Sequence, residues 1–390
     1  MNVLREIRRI PKDLWIIFGS TFINRMGTMG LPFLVIYLTK GLGYLPTQAG
    51  LVMTMYGASA LLAAPFSGRL SDLIGPLKIM KLSLWFTGIA LVLFPFAHNF
   101  WIIIAITMCW SVVSEAFRPA SLSIISDIVQ PEHRKVAFSV NRLAINLGMG
   151  IGPAVCGFLI LYSFPLIFWV DGAMSLIAAL ILTVSVDHQP RFLVHQETQK
   201  DVWRAILRDR RMFVFMVGIL PVFIVFFQYF STFPYVCINE LHLVASDYGL
   251  FFTVNTVLII LIEVPLNVAM ARWVHQRSMA IGALLVGVGF GGMIFTSGFW
   301  TVVITVVIWT FGEMIFLPSA SAYVADIAVP KYRGTYMGVY QMIGNASFAI
   351  SGWFGMKYLE SYGSAVLWSS AFVACVVTML IFLSIKEKKT

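Results

Sequence analysis

Charge is what this chain lacks most: only 12% of its 390 residues are Asp, Glu, Lys or Arg, against 59% hydrophobic. Soluble domains carry about twice that share of charge, so a water-surrounded globular fold is excluded. Cysteine is equally sparse. Cys109, Cys156, Cys237 and Cys375 stand far apart, which excludes a disulfide framework and any metal-ligand spacing. No G-x-x-x-x-G-K-[ST] phosphate loop is present, and the loops leave no room for a nucleotide-binding domain, so ATP is not the expected direct energy source. The six His are scattered, mainly in loops, and no Ser/His/Asp or metal-spaced His/Cys set exists. An enzyme is therefore not expected, and neither is a cofactor.

What the chain has instead is apolar length. Twelve apolar stretches of roughly 20 residues are each long enough to cross ~30 Å of hydrocarbon as a helix. They fall at 14–38, 47–68, 78–97, 101–123, 137–161 and 165–186, then at 212–236, 248–270, 279–297, 300–322, 335–358 and 364–385. The mean hydropathy of +0.86 agrees with such a chain. Of 27 basic residues, only Lys40 and Lys357 fall in outside loops when the N-terminus is placed in the cytoplasm. Arg25, Arg118 and Arg142 lie within spans, and the rest occupy inside segments or, like Lys78 and Lys81, the inner end of a span. That distribution puts both termini in the cytoplasm and accounts for the formal charge of +9 as topology, facing anionic lipid, with no nucleic-acid partner implied. Nothing reads as a cleaved signal peptide, because the run after Lys12 is too long for one.

The chain also repeats itself. Pro119, Asp127, Pro131 and Arg134 recur as Pro318, Asp326, Pro330 and Arg333 at one constant offset of about half the chain, and Asn146 recurs as Asn345. A repeat of that period between two membrane halves predicts a transporter built from parallel repeats. The expected organisation is an N-terminal six-helix lobe at 1–186, a cytoplasmic linker at 187–211 and a C-terminal six-helix lobe at 212–390. Trp203, Ile206 and Leu207 at helical spacing predict an amphipathic helix within the linker, on the inner membrane face.

Two further patterns carry a resemblance. Gly68-Arg-Leu-Ser-Asp72-Leu-Ile-Gly75-Pro-Leu-Lys78 ends the second span, and Gly148-Met-Gly-Ile-Gly152-Pro153-Ala-Val-Cys-Gly157 lies in the fifth. The first resembles the loop signature of the major facilitator superfamily, G-x-L-[SA]-D-x-x-G followed by basic residues. The second is similar to the motif of its drug:proton antiporter branch, G-x-x-x-G-P-x-x-G-G, with Cys156 in place of the penultimate Gly. The resemblance implies an all-α membrane protein of twelve helices in two pseudo-symmetric six-helix bundles. It also implies a substrate site near mid-membrane and alternating access by rocking of the lobes. Carried over residue by residue, Gly68, Asp72, Gly75, Lys78 and Arg134 would form an inner gate loop. Gly148, Gly152, Pro153 and Gly157 would bend the fifth span and seal its outer half, although tight helix packing alone explains the same residues. One departure stands out. Many members of the branch carry R-x-x-Q-G in the middle of span four, and nothing of the kind exists here near Thr107.

Ionisable residues inside spans are costly and need a partner or a wet cavity. Here they are Arg25 in span one, Glu115 and Arg118 in span four, Asp171 in span six, Glu263 in span eight and Glu313 in span ten. Glu313, with no basic residue in its span, is the main candidate for proton coupling, with Glu115 and Glu263 behind it. A carboxylate that exchanges its proton for a cationic substrate is a minimal antiport device. Locking to Arg25 or Arg118 is the alternative. Those two arginines, with Asp171, are charge-balancing or substrate-binding candidates. Tyr37, Trp110, Phe227, Trp309 and Tyr340 are candidates to line an aromatic cavity, and packing is the competing role for each.

The expected function is proton-coupled efflux of hydrophobic or cationic small molecules, driven by the proton gradient, from a bacterial inner membrane, by a protein that works as a monomer among lipids. A dedicated carrier for one siderophore, sugar, peptide or lipid is the alternative, and a non-transporting sensor or scaffold ranks behind both.

Overall fold

A computed structural model describes residues 11–128, 134–186, 209–270, 273–328 and 333–385. Every element in them is helical. The first six spans are α1 (Lys12–Gly27) with α2 (Gly30–Ile36), α3 (Pro46–Ile74), α4 (Pro76–Leu93), α5 (Phe100–Ile128), α6 (Arg134–Leu159) and α7 (Phe164–Ser185). The second six are α8 (Arg210–Phe227) with α9 (Thr232–Asn239), α10 (Ala245–Ala269), α11 (His275–Gly291), α12 (Phe299–Ile327), α13 (Arg333–Tyr362) and α14 (Ser364–Ser384). Helices dominate because hydrocarbon offers backbone groups no partner, and only an intra-segment ladder satisfies them.

Nine helical stretches among the described residues are long and apolar enough to cross a bilayer unaided. The other expected spans are α1–α2, which is interrupted, and α3 and α13, which carry more polar and small residues along their length. The interruptions fall at matching places in the two repeats. Span one breaks at Thr28–Met29, and span seven turns through a short 3-10 segment at Gln228–Phe230.

By contacts the chain divides into two compact units, residues 1–37 with 58–195, and residues 38–57 with 196–390. In the first unit, α4 packs on α5 and α7, while α1 packs on α6 and α7. Its core is mainly aliphatic, with Leu14, Ile17, Met80, Leu84 and Ile124 buried together around Phe18. In the second unit, α11 packs on α12 and α14, α10 on α12, and α8 on α13 and α14. Its centre is aromatic: Trp309 lies 4.8 Å from the Tyr229 ring and 5.6 Å from Phe290.

The outer part of α3 joins this second unit through a contact that ties two backbones together. The Thr54 hydroxyl donates to the Ala349 carbonyl at 2.7 Å and accepts the Trp353 amide at 2.8 Å, so it bridges one rung of the α13 ladder. Gly50 permits the approach, since a Cβ there would stand 2.6 Å from the Gly352 carbonyl. Glu360 accepts from the Thr47 amide at 3.0 Å, supplying an acceptor to the N-terminus of α3.

Candidate functional site

The polar centre of the second unit is built on α12. Glu313 sits in the middle of that helix, half-buried, and its Oε2 accepts a hydrogen bond from Asn255 Nδ2 of α10 at 2.8 Å. The same amide donates to Thr310 Oγ1 at 3.1 Å, and that hydroxyl donates to the Val306 carbonyl at 2.6 Å. Trp309, one turn before Glu313 on the same helix face, is buried among Tyr229, Phe226 and Phe290. Asn255 therefore bonds the carboxylate beside an aromatic wall. A carboxylate is a strong acceptor for a cation or a proton.

Glu263 lies buried two turns further along α10 from Asn255. Its backbone carbonyl accepts from Asn267 Nδ2 at 2.8 Å, and the same amide donates to the Met314 carbonyl at 3.2 Å. Two asparagines therefore rivet α10 to α12 on either side of Glu313. Sequence reasoning missed Asn255, Thr310 and Asn267. The available signal was amide side chains inside an apolar span, which are as exceptional there as charges.

The first unit holds Arg25, Glu115, Arg118 and Asp171. Glu115 is half-buried and Arg118 exposed, one turn apart on α5. Asp171 is 3% exposed, and its Oδ2 accepts from the amides of Met29 at 3.2 Å and Gly30 at 3.0 Å. It thereby satisfies the N-terminus of α2 at the point where span one breaks. Asn24 Nδ2 donates to Ser175 Oγ at 3.3 Å, and Cys156 Sγ approaches the Met29 carbonyl at 3.8 Å.

The fifth-span motif presses on the same break. A Cβ on Gly148 would stand 2.6 Å from the Arg25 Cβ, and one on Gly152 would stand 2.5 Å from the Met26 carbonyl oxygen. These glycines let α6 lie directly against the α1 backbone beside Arg25. Pro153 and Gly157 are buried in the same helix.

Of the gate loop, Gly75 and Lys78 are described, whereas the side chains at Gly68, Asp72 and Arg134 lie outside the described residues. Gly75 has φ +95°, a left-handed conformation that L side chains rarely adopt, and Pro76 starts α4 directly after it. That turn separates α3 from α4. Lys78 is exposed. In the second unit a different pairing occurs: His275 Nε2 lies 3.0 Å from Oδ2 of Asp326, the repeat partner of Asp127. The expected linker helix lies outside the described residues, except that Asp209 caps α8 by accepting from the Arg211 amide at 2.9 Å. Tyr336 donates to the same carboxylate at 3.1 Å.

The aromatic candidates divide by environment. Tyr37 is buried 4.8 Å from Phe168, and Trp110 lies 6.3 Å from Phe94. Trp309 is buried as described, whereas Phe227 and Tyr340 are half-buried.

Two repeats of six spans, charged residues deep within them and paired broken helices describe a carrier. The sequence model described as Major Facilitator Superfamily matches residues 17–245 and 229–386. The chain belongs to the Major Facilitator Superfamily. It is an integral membrane transporter and not an enzyme. Among its relatives is the MFS-type transporter YqjV of Bacillus subtilis (strain 168), 26% identical over 370 residues, covering 93% of this chain and 90% of that one. A Na(+), Li(+), K(+)/H(+) antiporter of Planococcus maritimus is 22% identical over 385 residues, 87% of this chain and 89% of that one. Quinolone resistance protein NorA of Staphylococcus aureus (strain MRSA252) is 27% identical over 182 residues, 46% of each chain. Among solved structures, a POT family transporter in complex with 5-aminolevulinic acid superposes with TM-score 0.82 at 15% identity, covering 96% of both chains. Nucleoside transporter NupG superposes with TM-score 0.82 at 14% identity, covering 96% of this chain and 99% of that one. These two structures establish the fold.

Proposed function

We propose that this superfamily member exports hydrophobic or cationic small molecules in exchange for protons, by alternating access. The observation that carries the reading is Glu313. Its carboxylate lies at mid-span, half-buried, held by the neutral amide of Asn255 at 2.8 Å and flanked by Trp309. A cation beside an aromatic wall gains both charge pairing and cation–π attraction, and a proton competes for the same oxygen. Competition for one carboxylate is sufficient to couple the two fluxes. The relatives named for quinolone resistance and for cation/proton antiport support the direction of the reading.

In this reading the lobes at 1–186 and 212–390 alternate about the linker at 187–211. The protein works as a monomer in a bacterial inner membrane, with both termini cytoplasmic. Gly68, Asp72, Gly75, Lys78 and Arg134 serve as the inner gate. Glu115 and Glu263 support proton movement, while Arg25 and Arg118 balance charge. The test is uncoupler-sensitive accumulation of a lipophilic cationic dye in energised inverted vesicles, whose lumen corresponds to the cell exterior, with Glu313→Gln as the uncoupled variant.

A second reading has its own observation. The relative named as a monovalent-cation/proton antiporter aligns over 87% of this chain, far more than the quinolone relative does. Exchange of Na⁺ or K⁺ for protons would use the same carboxylate. Cation-induced collapse of a proton gradient in dye-free vesicles separates the two readings.

A further inference from the structure

Span one is broken in two and clamped in both pieces. The inner piece, α1, is pinned against α6 at Gly148 and Gly152, directly beside Arg25. The outer piece, α2, leads into Tyr37, whose ring is boxed by Phe168 at 4.8 Å and by Phe94 and Phe164 at 6.1 Å. Between them stands Asp171 of α7, which takes two backbone amides 141 and 142 residues away on a single oxygen. Space around the break is already spent. A Cβ on Gly27 would stand 2.7 Å from Met174 Cβ, and one on Gly30 would stand 3.3 Å from Asp171 Oδ2.

The repeat shows that a charge is not needed merely to hold such a break. At span seven, Gln228 Oε1 accepts from Ser231 at 3.2 Å and Thr232 at 2.8 Å, and Tyr248 donates to the Tyr229 carbonyl at 2.8 Å. Ser231 also donates to the Ser351 carbonyl at 3.2 Å. Every one of these partners is neutral. The residue one repeat beyond Asp171 is Ser370, which bonds the Tyr358 hydroxyl at 2.9 Å and not the break. One lobe closes its hinge with neutral groups and the other with a buried carboxyl.

We propose that Asp171 is a proton-operated clamp on span one, a positioning residue that fixes α2 and the adjacent Arg25 when ionised and loosens them when protonated. This builds on the proton-coupled reading and adds a second protonation point, in the first unit. The chemistry is a single proton exchange. The ionised carboxylate accepts both amides through charge-assisted bonds, whereas the protonated carboxyl keeps a weaker acceptor and must place a hydroxyl of its own. The titratable and charged groups facing Asp171 are Arg25 of α1 and Cys156 of α6. Tyr37 lies beyond Phe168, and Lys81 of α4 is directed to the Val186 carbonyl at the far end of α7.

Amide hydrogen exchange on the full-length protein in detergent tests this without requiring transport. After correction for intrinsic rates, the peptide containing Met29 and Gly30 should exchange about tenfold faster at about pH 5.5 than at about pH 8. The peptide over Gln228–Thr232 serves as the internal control and should change less than about twofold. Asp171→Asn should make the span-one peptide fast at both pH values. Equal corrected rates at both pH values in the wild type would overturn the proposal, whether or not the Asn variant folds. So would a span-seven peptide that loosens in parallel. Failure of dye efflux would leave this readout intact, so the two ideas fail separately.

Discussion

A single methyl group at Gly152 probes the packing that places Arg25. A Cβ there would stand 2.5 Å from the Met26 carbonyl oxygen and 3.2 Å from its carbonyl carbon. The closer distance is roughly 1 Å short of a comfortable non-bonded separation. Both atoms are backbone, so no rotamer change in α1 relieves the clash and the helices must part. Overpacking of this kind costs ~1–3 kcal/mol, a factor of ~5–150 in the folding equilibrium. For a lobe of this size the expected fall in Tm is ~2–10 °C. Gly338 is the control, because a Cβ there meets nothing within 4 Å. Gly338→Ala should hold or raise Tm, since Ala is the better helix former by up to ~1 kcal/mol. Thermal loss of the monodisperse peak in detergent reads both variants. A Gly152→Ala protein that melts with Gly338→Ala would refute a direct backbone contact between α1 and α6.

Asn255→Ala removes the amide that bonds both Glu313 and Thr310. It should slow proton-coupled efflux by about tenfold or more while the protein still purifies folded, and wild-type efflux would show the amide to be dispensable. Thr54→Val removes the hydroxyl that bridges Ala349 and Trp353 and should cost ~0.5–1.5 kcal/mol, with Thr54→Ser restoring stability; equal melting of Val and Ser variants would contradict the bridging role. His275 and Asp326 form an exposed pair, so His275→Ala should shift stability by no more than ~1 kcal/mol. A larger loss would mean the contact holds more than itself. Asp72→Asn should slow turnover without altering the range of exported compounds, and a changed range at normal turnover would count against a gate role.

Much of the fold is legible in residue order because the bilayer imposes length and apolarity on each span. The expected stretch 300–322 lies within α12, and 364–385 nearly coincides with α14. What apolarity does not encode is where a span breaks. The stretch 14–38 reads as one apolar run, yet it is two helices, and Asp171, which accepts the amides at the break, lies more than a hundred residues away. The same limit hid the riveting asparagines of α10, whose partners on α12 no local periodicity reveals. Steric motifs are more transparent: Gly75 is a left-handed turn, and Gly148 and Gly152 form a crossing, as their spacing suggests. The inner ends of several helices run beyond the apolar stretches, as α3 does to Ile74, because a helix need not stop where hydrocarbon does.

The central claim is that Glu313 couples proton entry to substrate exit. Accumulation of a lipophilic cationic dye should be measured in energised inverted vesicles carrying wild type, Glu313→Gln or no carrier. The account predicts uncoupler-sensitive accumulation with wild type only, while the purified Gln variant remains folded and binds dye. Wild-type rates from the Gln variant, still abolished by uncoupler, would contradict it.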